Sequence, residues 1–190
     1  IMKGMYKNFR KDEFVERCKS FGLPLDKQIK EFSTGMKAKL KVLTAMSYGA
    51  KLLILDEPTA GLDVVARDEL LDMLRAYMES GENSILISSH ISSDLEGLCD
   101  DVYMIDNGKI VLHEETNVLL DEFGVLKVTE AQYEALDKAY IMSKKKEAFG
   151  YALLTREKRF HQENYPELAI EKAGIDQIIT LLISGKREGV

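Results

Sequence analysis

Leu52-Leu53-Ile54-Leu55-Asp56-Glu57-Pro58-Thr59-Ala60-Gly61-Leu62-Asp63 is the stretch that decides the fold of this 190-residue chain. Its first four residues are all apolar, which favours a strand buried in a parallel sheet over an alternating antiparallel strand. Two adjacent carboxylates, Asp56 and Glu57, follow directly. In doubly wound α/β proteins, ligands bind beyond the carboxyl ends of the strands. The stretch therefore predicts an α/β fold with an acidic pair in the position of a ligand site.

A second buried strand is predicted at residues 85–88, and it ends close to His90. Between the two strands, Asp63 can cap a helix that extends to about Ser80, because its apolar residues recur at helical spacing. The order strand, helix, strand is typical of a parallel pair. A histidine beside the end of the neighbouring strand is a candidate site residue, whereas we interpret His113 and His161 as structural.

Two helices are predicted upstream of the first strand. Residues 12–21 have amphipathic spacing, with Asp12 as a possible cap and stop signals after residue 21. The second helix begins after Ser33-Thr34-Gly35 and extends to Ser47 or Tyr48. Free backbone N–H groups at such a helix start favour an anion, although Ser-Thr-Gly alone is more often a simple cap.

Downstream of the second strand, a short helix through Leu98 and a hairpin at residues 102–112 around Asn107-Gly108 are predicted, which give the α/β layer an antiparallel edge. A helix at 116–123 follows. After it the pattern changes and predicts a small α+β appendage, with a strand at 124–128, a capped helix at 129–136, strands at 139–143 and 148–154, and a last helix that ends at Gly185. We interpret Lys144-Lys145-Lys146 as an exposed turn.

Composition narrows the functional classes. The net charge is −6 with both signs interspersed, whereas nucleic-acid-binding surfaces need a basic stripe, so we expect no nucleic-acid partner. Cys18 and Cys99 have no paired spacing and are expected to be reduced thiols without a metal site. The longest apolar run, residues 178–183, is far shorter than the ~20 residues of a membrane-spanning helix. Ile1 is not an initiator residue, so we expect the sequence to begin inside a longer protein.

Taken together, the three motifs resemble those of ATP-binding-cassette (ABC) ATPases. Ser33-Thr34-Gly35, the run 52–63 and His90 occur in the order of the signature, the Walker-B segment with its D-loop, and the switch histidine. The resemblance covers about residues 31–112. The tail around residues 170–176 is similar to that of ATPases serving bacterial exporters of the antibiotic-resistance or lantibiotic type.

The resemblance implies an α/β fold comprising part of a P-loop NTPase core. Residues 1–50 would be the end of the helical subdomain with the signature and its helix. Residues 51–122 would be the C-terminal part of the ATPase core, and residues 123–190 a small α+β extension.

It also implies roles for the acidic pair and the histidine. Asp56 matches the Walker-B aspartate that holds Mg²⁺. Glu57 matches the glutamate that orients or deprotonates the attacking water. His90 matches the switch histidine that contacts the γ-phosphate and the catalytic water.

The remaining predicted site residues belong to the signature and the D-loop. By resemblance, Ser33 contributes its hydroxyl and Gly35 its backbone N–H to ATP bound on the opposite subunit. Asp63 matches the D-loop aspartate that communicates between subunits, and it also has a capping role. Thr34 and Met36 depart from the usual Leu-Ser-Gly-Gly-Gln signature, and a methionine cannot supply the hydrogen bonds of glutamine.

The sequence contains no glycine-rich phosphate loop of the form Gly-x-x-x-x-Gly-Lys-Ser/Thr. The aromatic A-loop and the Q-loop of the family are also missing from it. We therefore expect the 190-residue chain to bind ATP weakly and to hydrolyse it negligibly alone, because the phosphate-loop lysine and its nest of N–H groups are needed for both.

For the complete protein, the resemblance implies an ATP-hydrolysing subunit of an ABC transporter that uses ATP and Mg²⁺. Its partners would be a second ATPase subunit in a head-to-tail dimer and an integral-membrane permease, at the cytoplasmic face of the cell membrane. Two alternatives remain open. One is a non-catalytic regulatory module that completes an ATP site in trans. The other is a soluble ABC ATPase acting on ribosomes or DNA, which the acidic balance disfavours.

Overall fold

The computed structural model describes residues 8–79 and 81–187. The chain divides into two compact units, the first ending at Asp94 and the second beginning at Leu95. The layout expected from the family, with segments 1–50, 51–122 and 123–190, stays a prediction. Ile1 and Ser80, at which the sequence analysis placed the chain start and a helix end, lie outside the described residues.

The first unit consists of helices and a two-stranded parallel sheet. Its elements in chain order are α1 (Lys11–Ser20), a short 3₁₀ helix (Ile29–Glu31), α2 (Thr34–Met46), β1 (Leu52–Asp56), α3 (Val64–Met78), β2 (Ser84–Ser88) and the start of α4 (Ser92–Leu98). β1 pairs with β2 from Leu52 opposite Ser84 to Asp56 opposite Ser88. The predicted order of strand, helix and parallel strand is therefore present.

One face of this sheet departs from the prediction of burial on both sides. Leu53 is buried, but Leu52 is 53% exposed, Ile54 71% and Leu86 59%. These three residues share a face, because Ile54 pairs with Leu86 and residues two apart on a strand point the same way. The described residues of this unit thus cover only one side of the sheet.

The predicted cap of α1 is wrong. The helix begins at Lys11 with Arg10 as its N-cap, and no side chain caps it by a hydrogen bond. Asp12 lies in the first turn instead, where a carboxylate still complements the helix dipole.

On the same helix, burial raises the pKa of the Cys18 thiol, which keeps the sulfur protonated and unreactive at neutral pH.

The second unit begins with an antiparallel hairpin of β3 (Asp101–Asp106) and β4 (Lys109–Glu115). Asn107 and Gly108 form its turn, both with positive φ (48° and 75°), as a tight two-residue hairpin turn requires. The predicted Asn-Gly hairpin is therefore present. Helix α5 (Thr116–Asp121) follows, and Phe123 behind it is fully buried.

A five-stranded antiparallel sheet completes the second unit, in the order β8-β5-β7-β6-β9. Its strands are β5 (Gly124–Val128), β6 (Ile141–Glu147), β7 (Gly150–Thr155), β8 (Ala169–Lys172) and β9 (Lys186–Arg187). The helices that connect or follow these strands are α6 (Glu130–Ala135), α7 (Lys158–Asn164) and α8 (Ile175–Ser184). The sequence predicted α6 and α8 correctly but missed α7, β8 and β9.

The three consecutive lysines are part of β6 and not an exposed turn. Lys144 Nζ lies 4.0 Å from the centre of the Tyr133 ring and donates a hydrogen bond to the Tyr133 hydroxyl at 2.7 Å. The aliphatic part of a lysine side chain can cover apolar surface while its amino group contacts water or a polar group. Consecutive lysines can therefore occupy a strand.

Among the described residues, no helix is both long enough and apolar enough to cross a membrane.

Candidate functional site

The predicted acidic pair lies at the carboxyl ends of β1 and β2. Asp56 ends β1 opposite Ser88, and the Ser88 hydroxyl donates a hydrogen bond of 2.5 Å to Asp56 Oδ1. The same hydroxyl accepts the Glu57 backbone N–H at 3.1 Å. One serine thus fixes the Asp56 carboxylate and the backbone that carries Glu57.

Glu57 has a left-handed backbone, with φ of 46°. This conformation is uncommon for a residue with a side chain, and it persists only where surrounding contacts enforce it. Here the N–H of Glu57 is also bound to the Ser88 carbonyl at 3.1 Å. The turn ends the strand abruptly and is a form of local strain that clusters at functional sites.

The structure brings Glu57 and His90 together. His90 Nδ1 lies 2.6 Å from Glu57 Oε2. A charge-assisted contact of this length restrains both side chains, and a neutral imidazole must carry its proton on Nδ1 to make it. The side chains of Glu57 and His90 remain 35% and 69% exposed, so the pair is open to a ligand.

The oxygen donors around Asp56 fit a magnesium ion that arrives with a nucleotide. Mg²⁺ in phosphate sites is usually held by one or two carboxylates together with phosphate oxygens and water. Within residues 8–79 and 81–187, no group of three or more His, Cys, Asp or Glu side chains could hold a metal ion alone. The exposed Asp56 carboxylate and the adjacent Ser88 hydroxyl therefore suit an ion whose other ligands are phosphate oxygens and water.

Ser33 and Asp63 both cap helices in the structure. Ser33 Oγ accepts the Met36 N–H at 3.2 Å at the start of α2. Asp63 Oδ1 accepts the Ala66 N–H at 2.9 Å at the start of α3. Each residue therefore has a sufficient structural reason for its identity, and a role toward nucleotide would be additional.

Gly35 is buried where α2 meets α3. A Cβ atom placed on Gly35 would lie 2.7 Å from the Ala66 Cβ, which is closer than two such atoms can approach. The absence of a side chain therefore permits the two helices to pack. Within the described parts of the chain, no hydrogen bond or ion pair joins Ser33 or Gly35 to the acidic pair.

The sequence analysis missed Ser88 and a buried cluster beside the site. Asp94 is fully buried and accepts hydrogen bonds from Thr59 and Arg67. An aspartate in the first turn of a short helix is ordinary, so composition and spacing carried no signal for it. A serine opposite the predicted Walker-B aspartate could have been found from the strand register alone.

Removal of the Asp63 carboxylate tests its capping role. We expect Asp63→Ala to lower the free energy of unfolding by about 1 kcal/mol, the usual loss when an N-cap acceptor is removed. Urea denaturation followed by circular dichroism measures it. Asp68→Ala, an exposed aspartate inside the same helix, is the matched control, and an equal loss in both variants would contradict the capping role.

The chain is similar to known proteins over about half of its length. The family model described as "AAA domain, putative AbiEii toxin, Type IV TA system" matches residues 14–93. The chain is 44% identical over 92 residues to the lantibiotic transport ATP-binding protein SrtF of Streptococcus pyogenes, covering 48% of this chain and 40% of that protein. It is 37% identical over 98 residues to the Nod factor export ATP-binding protein I of Rhizobium meliloti, covering 52% and 29%.

A solved structure has the same fold. It is described as "an inward-facing conformation of a putative metal-chelate type ABC transporter", and it matches with a TM-score of 0.52 at 16% identity over 75% of this chain and 55% of that one. The predicted fold is confirmed by this likeness. The chain spans 40% or less of the length of the two curated relatives above.

Proposed function

We propose, from the premise that its homologues are ABC transporter ATP-binding proteins, that this chain carries the hydrolytic half of an ATP site. The observation that supports this most is the 2.6 Å contact between Glu57 and His90 beside Asp56, at the carboxyl ends of two parallel strands. That is the edge at which α/β proteins bind ligands.

In this proposal, Glu57 positions the attacking water. His90 holds Oε2 of Glu57, and the Glu57 side chain is 35% exposed, so Oε1 remains to accept a proton or a hydrogen bond from water. His90 meets Glu57 through Nδ1, so Nε2 is the ring atom left for the nucleotide side of the site. In a neutral ring Nε2 accepts a hydrogen bond from water, and it donates to a phosphate oxygen only in the imidazolium.

Asp56 would hold Mg²⁺ together with phosphate oxygens and water. When bound, the ion supplies positive charge against the β- and γ-phosphates. The Ser88 hydroxyl orients the Asp56 carboxylate for this role, because it fixes one of the two oxygens at 2.5 Å.

The signature segment would serve a second nucleotide site. Ser33 caps α2, a 13-residue helix whose N-terminal dipole and N–H groups favour an anion. By family resemblance that anion is the γ-phosphate of ATP on a second ATPase subunit in a head-to-tail dimer. A membrane permease is the further partner, at the cytoplasmic face of the membrane, in line with relatives named for lantibiotic transport and Nod factor export.

The exposed face of β1 and β2 supports action as part of a larger core. Parallel sheets occur with both faces covered, because each face is apolar. Here Leu52, Ile54 and Leu86 are exposed on one face. A segment that brings a phosphate loop to the site would cover them.

Complementation tests the proposal. The chain is mixed with an ABC ATPase fragment that contains a phosphate loop and lacks residues equivalent to 31–112, and Mg²⁺-dependent phosphate release is measured. We expect turnover in the mixture at least about tenfold above that of either component, because each half supplies groups that the other lacks.

The same mixture containing Glu57→Gln is the control, and it should show no gain. A wild-type mixture in which the two polypeptides associate without any gain in turnover would contradict the hydrolytic role and favour the regulatory module.

A further inference from the structure

Asp94 is a fully buried carboxylate that gathers donors from separate segments of the first unit. Its Oδ2 accepts the Thr59 hydroxyl at 2.5 Å, and its Oδ1 accepts Arg67 Nε at 2.5 Å. Ser89 Oγ lies 3.4 Å from Oδ2. Thr59 is itself 1% exposed, so this bond is shielded from water.

The partners of Asp94 flank both members of the Glu57 and His90 pair. Thr59 lies two residues after Glu57, in the turn that leads from β1 to α3. Ser89 directly precedes His90, and its hydroxyl accepts the Ile91 N–H at 3.0 Å, which closes a tight turn with His90 at its centre. One buried carboxylate therefore contacts the two loops that present the pair.

Arg67 extends the cluster to the helix that follows the acidic pair. Its guanidinium bonds Asp94 through Nε and the Ser93 hydroxyl through Nη2, the latter at 2.5 Å. Arg67 also follows Ala66, the residue against which Gly35 packs. The start of α3 is thus bonded to the start of α4, which directly follows the loop that carries His90, and it packs against α2.

We infer that Asp94 is a positioning residue for the proposed site, holding the Thr59 turn and the Ser89-His90-Ile91 turn so that His90 meets Glu57. A buried ion pair is weak grounds for a purely stabilising role, since apolar residues of similar volume often stabilise as well. The geometry gives another reason for a charged residue at position 94, because one carboxylate can accept hydrogen bonds from donors on three segments at once. The functional meaning rests on the proposed roles of Glu57 and His90, but the contact itself does not.

The state of the His90 ring in the 190-residue chain tests this directly. Long-range ¹H–¹⁵N spectra distinguish an imidazole protonated on Nδ1 from one protonated on Nε2. Glu57→Ala gives the reference spectrum for His90 without its partner. We expect Asp94→Asn to move the His90 Nδ1 resonance at least about half of the way to that reference, because the tautomer depends on the bond that the ring makes.

Hydrogen exchange supplies the second readout. In Asp94→Asn the amide of Ile91 should exchange at least about tenfold faster, since the turn around His90 opens locally. Asp72→Asn, which changes an exposed carboxylate on α3 that pairs with Arg75, should leave both readouts unchanged.

Thr59→Val guards against loss of folding in the Asp94 variant. This change removes the Thr59 hydroxyl but keeps a side chain of similar volume, and it leaves the ion pair of Asp94 with Arg67 in place. It should shift the His90 resonance in the same direction as Asp94→Asn does. A wild-type His90 resonance in folded Asp94→Asn, or in Thr59→Val if the former does not fold, would overturn the inference. That outcome leaves the ATP-site proposal intact, since no nucleotide is used.

Discussion

Glu57→Gln in an ATPase that combines this chain with a phosphate loop will lower kcat by at least about a hundredfold while ATP stays bound, as loss of a general base does. Glutamine keeps the size and one carbonyl oxygen of the side chain but cannot accept a proton from water. Asp56 and its bond from Ser88 are untouched, so magnesium ligation should survive. We also expect the ATP-bound dimer to accumulate. Phosphate release and retention of labelled ATP measure the two effects separately.

Glu16→Gln is the matched control for this change, because Glu16 is an exposed glutamate on α1 away from the site residues. It should leave kcat unchanged. Turnover retained in Glu57→Gln within about threefold would refute the assignment of Glu57 as base, since a lost base costs far more than that.

Gly35→Ala will destabilise the chain itself, without any nucleotide. The added methyl would lie 2.7 Å from Ala66 Cβ, so α2 must move away from α3. Overpacking of this kind costs about 1–3 kcal/mol of unfolding free energy. Because Gly35 is predicted to belong to the signature, the same displacement should also lower turnover in the complemented ATPase. Urea denaturation of the 190-residue chain gives the stability change.

Ala66→Gly is the compensating change. Alone it should cost about 1 kcal/mol, since glycine is a poor helix former. Combined with Gly35→Ala it should recover most of the loss, giving a coupling energy of about 1 kcal/mol or more in a double-mutant cycle. Additive losses would show that the two residues do not pack against each other. An unchanged stability of Gly35→Ala would show that the packing of α2 on α3 does not require glycine at this position.

Local patterns were sufficient to predict the elements that carry the site and the last helix of the second unit. The apolar run before Asp56, the capping positions Ser33 and Asp63, and the spacing along α8 each have one dominant physical cause, and the structure has all of them. The proximity of Glu57 and His90 followed from parallel pairing, because the carboxyl ends of adjacent parallel strands meet at one edge.

Features that depend on tertiary contacts could not be read in the same way. Asp94 is buried only because Thr59 and Arg67 come to it from other segments. Lys144 is accommodated in a strand because Tyr133 lies beneath it. The exposure of Ile54 depends on what covers the sheet, which an apolar pattern does not specify. The roles of the site residues toward nucleotide, and the expected absence of a nucleic-acid partner, stay predictions.

The central claim is that this chain contains the groups that hydrolyse ATP but lacks the phosphate loop that binds the phosphates of ATP. Calorimetric titration of the folded 190-residue chain with MgATP, together with a phosphate-release assay on the same sample, tests it most directly. We predict no saturable binding in the micromolar range and no turnover above background, because the sequence contains no phosphate loop. Micromolar binding accompanied by turnover would contradict the account.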